Sequence, residues 1–277
     1  KGKKVRHNDK EYGRISEHIG RFPVVTVSPD DTDLIRGGAS ERRRLTDMVI
    51  SQTDGAYLST LMRYNRALTS RNNLLRSGVR DPLLFESVET TMSEAAEAVY
   101  RRRKEWAEEI APLFAGHYAD ITDGAEKASL AYRSAMDEAS PEEIFAATRA
   151  KDEALGYTSK GIHRDDLAMA LDRYPMRNLG SQGQMKTFTI ALRMAIFDYV
   201  RSRTGITPLL LLDDIFDKLD AARVAKIIRL VSDESRFGQI LITDTNRRHL
   251  DETVANIGGR YSMFEVSDGV ITPLASS

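Results

Sequence analysis

The chain has 277 residues, of which 41% are hydrophobic and 29% are charged, and its formal net charge is −1. This composition is typical of a globular protein with one large domain or two smaller ones. The near-neutral charge excludes binding of nucleic acid through a global excess of positive charge, so any such surface has to be local. The chain contains no cysteine, which excludes disulfides, thiol catalysis and cysteine–zinc sites.

Nothing in the sequence predicts a membrane segment. No apolar run, Pro208–Leu212 included, approaches the roughly 20 residues that a helix needs to span a bilayer. The basic run Lys1–Lys4 has no apolar stretch behind it, so we do not expect a secretory signal. With the absence of cysteine, these features predict a cytoplasmic protein that has no membrane partner.

The first 45 residues contain a predicted strand and the start of a helix. Phe22–Val27 is rich in β-formers and ends before a Ser-Pro pair, so it predicts a strand. Ser40 follows two glycines and is the predicted N-cap of the next helix.

Residues 46–151 have mostly helical periodicity. Apolar residues between Tyr57 and Leu75 recur at helical spacing, and Asp81 and Pro82 open a further helix with proline in its first turn. From Met92 the apolar positions again step by three, four or seven, opposite a charged face that includes Arg101–Lys104. A capping box at Ser140 begins a short helix, while the stretch around Leu130 alternates like a strand.

From Gly156 the pattern becomes that of an α/β layer. The segment Leu209–Leu212 is an unbroken apolar run, which is typical of a strand that is covered on both faces. A helix before it and a helix and strand after it predict a parallel sheet. The other predicted elements are strands at 167–171 and 240–242, helices at 185–199 and 224–231, and a hairpin at 264–271 that turns at Asp268-Gly269.

The strongest chemical signal is the pair of carboxylates that ends the apolar strand. Asp213 and Asp214 follow Leu209–Leu212 directly, which is a Walker B arrangement. The first carboxylate would hold Mg²⁺ directly or through water, and the second would polarise an attacking water. Because apolar strands that end in aspartate are common in α/β proteins, this pattern alone is only moderately specific.

A glycine-containing helix start lies about thirty residues upstream of these carboxylates. In Gly180–Gln184, two glycines flank Ser181 and Gln182, and the free N–H groups of a helix start favour an anion. A helix start of this kind, then a helix, then a strand that ends in two aspartates is the order of signature motif and Walker B in ABC ATPases. Asp217–Asp220 matches the D-loop of the same class, although Asp220 is equally explained as the N-cap of the following helix.

Four segments resemble the RecF family of bacterial recombination ATPases. They are residues 28–37 with 40–44, residues 63–76, residues 161–167, and residues 180–184 with 209–214. The His163-Arg-Asp-Asp166 run and the Ser-Gln-Gly-Gln form of the signature are more specific to this family than to ABC ATPases in general. His163 and Arg164 are either structural or close to the nucleotide, and their spacing to the two aspartates does not predict a metal site.

The resemblance implies an α/β ABC-ATPase-like lobe of the P-loop NTPase class with a mainly helical inserted lobe. The first lobe would comprise residues 1–45 and 152–277, and the second would comprise residues 46–151. Family members begin with a strand and a P-loop, but the sequence contains no Gly-Lys-Ser/Thr motif. We therefore expect an ATPase lobe that is incomplete at its N-terminus. Weak ATPase activity is expected of the full protein and none of this chain alone.

The same resemblance assigns roles to individual residues and implies ATP and Mg²⁺ as cofactors. Ser181, Gln182, Gly183 and Gln184 would contact the γ-phosphate held by the partner subunit, and Asp220 would be the D-loop aspartate. Asp213 would hold Mg²⁺, and Asp214 would be the catalytic acid. Transporters place a histidine after the next strand. Here that position falls in Thr243–Thr245, so no residue is assigned to its role.

The family's implied function is that of a DNA clamp in replication, repair, recombination and the SOS response. It would form an ATP-dependent homodimer on double-stranded DNA and at junctions of single- and double-stranded DNA, and act with RecO and RecR to load recombinase at gaps. Arginines and amides at high density suit phosphate contact, although such runs are also usual on solvated helix faces. The candidate DNA-binding residues are Arg42, Arg43, Arg44, Arg63, Arg66, Arg71 and Arg76.

Two alternatives stay open at the level of the sequence. A different metal-dependent phosphotransferase or nuclease could use Asp213 and Asp214, but it should have a complete phosphate loop or further carboxylates on neighbouring strands. A non-catalytic module that binds DNA or a protein partner would use the helical lobe, and its two carboxylates would be structural.

Overall fold

The computed structural model describes residues 4–14, 18–232, 236–245, 251 and 260–276. Of the Lys1–Lys4 run, residues 1–3 lie outside this range. The helices of the described chain are α1 (Asp33–Arg36), α2 (Ala39–Thr53), α3 (Gly55–Ser77), α4 (Pro82–Thr122), α5 (Pro141–Leu155), α6 (Met176–Leu179), α7 (Gln182–Thr204) and α8 (Ala221–Val231). The strands are β1 (Arg6–His7), β2 (Lys10–Glu11), β3 (Val24–Val27), β4 (Ala128–Arg133), β5 (Asp166–Leu171), β6 (Tyr174–Pro175), β7 (Leu209–Asp213), β8 (Ile240–Thr243), β9 (Ser262–Ser267) and β10 (Val270–Ser276).

A parallel sheet of the order β3–β7–β8 carries the predicted Walker B strand at its centre. In β7, Leu210 and Leu212 are buried, and α7 packs against the neighbouring strand β3. Because the strands are parallel, their carboxyl ends lie at one edge of the sheet, where Asp213 pairs in register with Thr243. The predicted parallel α/β arrangement is confirmed.

Helix α4 is the longest element, with 41 residues. The sequence predicted a helix start at Asp81-Pro82 and helical periodicity from Met92, and the structure joins both in one continuous helix. The side chain of Asp81 caps it by accepting a hydrogen bond from the Leu83 N–H at 2.9 Å. Pro112 lies on an exposed position inside this helix and does not end it. Its length lets α4 contact α3, α7 and β4 along one axis.

A second, antiparallel sheet of the order β4–β5–β6 joins the two predicted lobes. Strand β4 belongs to the predicted insertion and β5 to the predicted ATPase lobe, yet they pair from Ala128 to Arg133. The predicted boundaries at residues 46 and 151 also fall inside α2 and α5. The division into two lobes stays a prediction, but the predicted boundaries do not lie between secondary-structure elements.

The predicted N-cap of α2 is wrong by two residues. Gly38 is the N-cap, with φ −75° and ψ 171°, and no side chain caps the helix. Ser40 lies inside the first turn. The two residues that precede this turn are glycines, which have no side chain to cap the helix.

One hydrophobic core runs through the described residues and includes Val27 of the parallel sheet and Trp106 of α4. Trp106 is fully buried. None of the described helices is long and apolar enough to cross a membrane.

Candidate nucleotide site

The two predicted Walker B carboxylates lie at the C-terminal edge of the parallel sheet. The Thr243 hydroxyl donates a hydrogen bond to the Asp213 carboxylate, and Asp213 is exposed. The next residue turns sharply, since Asp214 has φ +48° and its N–H donates to the Thr243 carbonyl at 2.9 Å. A non-glycine residue in this left-handed region is uncommon, and such residues cluster at functional sites.

A buried lysine of α7 holds this turn. The Lys186 Nζ donates to the Asp214 carbonyl oxygen at 2.7 Å, and only 8% of the residue is exposed. Burial lowers the pKa of Lys186, while the nearby charges of Asp214 and Asp217 act in the opposite direction. The sequence prediction missed Lys186. A cation two positions after the signature, at the start of an apolar helix, was the available signal.

The predicted signature begins α7 with a capping box. The Ser181 Oγ accepts from the Gln184 N–H at 3.2 Å, and the Gln184 Oε1 accepts from the Ser181 N–H at 2.9 Å. Ser181 and Gln182 are exposed. The capping bond uses only a lone pair of the serine oxygen, so its O–H proton is free to be donated to an anion in front of the helix.

The predicted D-loop packs directly against this helix start. A Cβ atom added at Gly183 would lie 3.3 Å from the Lys218 carbonyl oxygen, so glycine permits the close approach. Lys218 itself has φ +63°. The Asp220 carboxylate accepts from the Arg223 N–H at 2.9 Å and so caps α8. The N-cap interpretation of Asp220 is confirmed, and its carboxylate is also exposed at the site.

Two residues without any sequence signal join the signature to the D-loop. The Glu126 Oε1 accepts from Gln184 at 3.0 Å and from Arg223 at 3.1 Å. Arg223 also donates to the Thr187 hydroxyl at 3.1 Å. Glu126 lies between α4 and β4, 58 residues before its glutamine partner, and no motif predicts a contact over that separation.

Arg71 does not fit the DNA-binding role that the sequence predicted for it. Arg71 is fully buried, and its guanidinium donates to Glu89 at 2.7 Å, to Asp152 at 2.7 Å and to Thr158 at 2.8 Å. The neighbouring amide of Asn72 accepts two hydrogen bonds from Thr158. This arginine is therefore structural and does not reach a DNA phosphate.

Two of the three arginines at the start of α2 are also engaged inside the protein. Arg42 is buried and pairs with Asp166 at 2.7 Å, while Arg43 donates to the Asp165 carbonyl at 2.7 Å. The same correction applies to Arg103 of the predicted charged run, which is 3% exposed and pairs with Asp47. The remaining candidates are exposed; they are Arg44, Arg63, Arg66 and Arg76.

The family-specific segment around His163 is structural. Its Nε2 lies 3.0 Å from the Thr158 carbonyl and its Nδ1 lies 2.8 Å from the Tyr64 hydroxyl, so the ring donates to the carbonyl and accepts from the tyrosine. Burial lowers the pKa of His163 to about 4. Burial also raises the pKa of Asp165, which accepts a hydrogen bond from Tyr132.

The donors at the sheet edge suit a metal that is shared with a nucleotide. Within the described ranges, no group of three or more His, Cys, Asp or Glu side chains could hold a metal ion. Mg²⁺ is usually held by one or two carboxylates together with substrate phosphates and waters. Asp213, exposed and oriented by Thr243, fits that mode and not an all-protein metal cage.

The chain has many relatives of one kind. It is 48% identical over 272 residues to the DNA replication and repair protein RecF of Parabacteroides distasonis. The matched segment covers 98% of this chain and 74% of that protein. The RecF protein of Bacteroides fragilis is 48% identical over 276 residues, with the same shares of coverage. This chain belongs to the RecF family. No family model matches it.

Solved structures agree with this assignment at the level of the fold. A RecF structure with ATP, from the RecFOR pathway, has a TM-score of 0.83 at 24% identity, over 99% of this chain and 74% of that one. An Smc head domain of Pyrococcus furiosus has a TM-score of 0.51 at 20% identity, over 92% of this chain and 61% of that one. The predicted RecF membership and the predicted ABC-ATPase-like α/β fold with a mainly helical remainder are confirmed.

Proposed function

We propose that this RecF-family protein is an ATP-dependent clamp that dimerises on duplex DNA during repair and recombination. The observation that carries the proposal is the meeting of three segments at one edge of the parallel sheet. The Ser181 helix start, the Asp220 loop and the Asp213–Asp214 turn are joined there through Gly183 and Lys186. In an ABC-type ATPase these segments contact nucleotide across a dimer interface, the Walker B carboxylates that of their own chain and the signature that of the partner.

The residues of this edge would each have a distinct role. The free hydroxyl proton of Ser181 and the N–H groups of Gln182 and Gly183 would bind a γ-phosphate that is held by a second copy. Asp213 would hold Mg²⁺, which when bound would neutralise developing charge on the phosphates. Asp214 would orient and accept a proton from the attacking water, with its backbone held by Lys186.

The proposed DNA surface is reduced to the arginines that solvent reaches. On α3 these are Arg63, Arg66 and Arg76, with Arg44 on α2. Arg66 and Asn73 are both exposed and lie two turns apart on the same side of α3. Guanidinium and amide donors of this kind bind phosphate oxygens and read no sequence. The proposed partners are double-stranded DNA, its junctions with single strands, and the RecO and RecR proteins.

The test of the clamp is the mass of the full-length protein in solution with and without ATP and Mg²⁺. We expect a dimer only with nucleotide. The Ser181→Arg variant should stay monomeric, because the longer cation would occupy the space in front of α7. Ser140→Arg, at the N-cap serine of α5 with the same kind of capping box, is the matched control away from this edge and should still dimerise. If the mass of the wild-type protein is the same with and without ATP, the clamp is refuted and a module that binds DNA or a protein partner is the remaining interpretation.

The DNA surface has its own test. Changing Arg63, Arg66 and Arg76 together to Gln should weaken duplex binding and lower the slope of log K against log salt by about one for each lost phosphate contact. Arg229→Gln, an exposed arginine of α8, should change neither quantity. An unchanged salt slope in the triple variant would place the DNA elsewhere.

A further inference from the structure

Glu126 is the one described carboxylate that contacts the long helix, the signature helix and the D-loop helix together. Its Oε2 accepts from the Tyr118 hydroxyl of α4 at 2.6 Å. Its Oε1 accepts from Gln184 of α7 at 3.0 Å and from Arg223 of α8 at 3.1 Å. The side chain is 19% exposed, so water does not replace these partners freely.

Gln184 and Arg223, the two partners of the Glu126 Oε1, each contact a second residue that is proposed to face nucleotide. The Gln184 amide donates to Glu126 through Nε2, while its Oε1 accepts from the Ser181 N–H at 2.9 Å. The Arg223 guanidinium likewise lies 3.3 Å from the Asp220 carboxylate. One carboxylate thus lies one side chain away from the signature serine and one side chain away from the D-loop aspartate.

The electrostatics favour a charged Glu126. Burial alone would raise its pKa, but the hydrogen bonds from Tyr118 and Gln184 and the charge of Arg223 lower it below the usual range. A charged acceptor strengthens each of these hydrogen bonds relative to a neutral one. An uncharged isostere at this position would keep the size of the side chain and lose the ion pair.

We propose that Glu126 is a positioning residue that holds the signature and the D-loop in one fixed arrangement against α4. Glu126 would not contact nucleotide itself. Its relevance to nucleotide rests on the proposed function above, whereas its effect on the two loops does not. Helix α3, which carries the proposed DNA-binding arginines, packs along the same α4. Glu126 would therefore connect the helical part of the protein to both the signature and the D-loop.

The first measurement is amide hydrogen exchange of the full-length protein without nucleotide. In Glu126→Gln, exchange should rise about tenfold in segments 181–187 and 218–224, where the two loops lose a shared acceptor. Segment 141–155, which is α5, should not change. Asp120→Asn removes the same charge from an exposed position near the end of α4 and should leave all three segments unchanged. Exchange in both loops of Glu126→Gln that equals that of the wild type, or a rise in all three segments, would overturn the proposal.

The second measurement is the protein concentration at which the full-length protein dimerises with ATP and Mg²⁺. Glu126→Gln should raise this concentration about tenfold or more. Glu126→Asp, which keeps a charged acceptor, should dimerise at a concentration several-fold lower than Glu126→Gln, which a loss of packing alone would not produce. Equal concentrations for the two variants would contradict the positioning role. A wild-type protein that never dimerises would refute the clamp and leave the exchange result to decide on Glu126.

Discussion

Arg71 binds two carboxylates inside the protein, so its contribution concerns stability and not DNA. Asp152 is completely buried and accepts from Arg71, Thr148 and the Ser159 N–H. Burial would raise the pKa of Asp152, but its hydrogen bonds from Ser159 and Arg71 outweigh this effect and lower it. Removal of the arginine would leave that charge buried and unpaired.

We therefore expect Arg71→Met to lower the free energy of unfolding by about 3–5 kcal/mol. Arg76→Met, on the same helix but exposed, should change it by less than about 0.5 kcal/mol. Urea unfolding of the two variants and the wild type measures both values. Equal midpoints for Arg71→Met and wild type would contradict the buried network.

His163 makes stability depend on pH. Its pKa is about 4 in the folded protein and 6.5 in its ordinary state, so the unfolded chain binds the proton more readily. The contribution of His163 is therefore complete above pH 6.5 and is lost as the pH falls towards 4. Asp165, whose pKa is raised by burial, acts in the opposite direction.

Between pH 7.5 and pH 5, the histidine term amounts to about 2 kcal/mol. His163→Gln keeps a donor for Thr158 and an acceptor for Tyr64, and it does not titrate. We expect the loss of unfolding free energy between these two pH values to be smaller in the variant by about that amount. The contributions of the other titrating groups cancel in this comparison, since both proteins contain them. Identical pH dependence would show that His163 is protonated equally in both states.

At the residue scale, burial could not be predicted because the sequence does not reveal partners. Arg63, Arg66 and Arg71 stand in one run of arginines and amides, but only Arg71 faces the distant Asp152. Asp213, Asp214 and the signature serine were predictable because their motifs carry their own local geometry. Glu126 and Lys186 were not predicted, since their contacts join segments that are far apart in the chain.

The N-cap residue of helix α8 has two possible roles. Asp220 caps the helix by accepting from the Arg223 N–H, and it is also the proposed D-loop carboxylate. Serine caps a helix about as well as aspartate, whereas alanine does not. The two roles are therefore separable by the choice of substitution.

Asp220→Ala should lower the free energy of unfolding by about 1 kcal/mol, and Asp220→Ser should leave it nearly unchanged. ATP turnover of the full-length protein should fall in both variants, because both lose the carboxylate. Urea unfolding and a phosphate-release assay report the two effects independently. Full turnover in Asp220→Ser would reduce this residue to a helix cap.

Periodicity and caps predicted most elements correctly at this scale. The Ser140 capping box and the Asp268-Gly269 turn lie where they were predicted. The continuity of α4 through Met92 was not specified by the sequence, because the Asp81-Pro82 start and the later apolar periodicity are separate local signals. Pairing of β4 with β5 was also unpredicted, since nothing local specifies a partner 33 or more residues away.

At the scale of the whole molecule, α4 ties the helical part to the α/β part. It packs on α3 and α5 at one side and on α7 and α8 at another, and β4 continues from it into the sheet with β5. A shared core of this kind favours cooperative unfolding, in contrast to lobes that are joined by a linker. The proposed division into two lobes therefore does not imply two independently stable units.

The single tryptophan of the chain tests this coupling. Trp106 is fully buried in α4, so its fluorescence reports on the contacts of that helix, while far-UV circular dichroism reports on all helices. We expect the two signals to follow one urea transition with the same midpoint, because α4 cannot leave one part of the core without exposing the other. Leu230→Ala, at the half-buried side of α8, should shift both curves together. A tryptophan transition that separates from the dichroism curve would instead show a helical part that unfolds on its own.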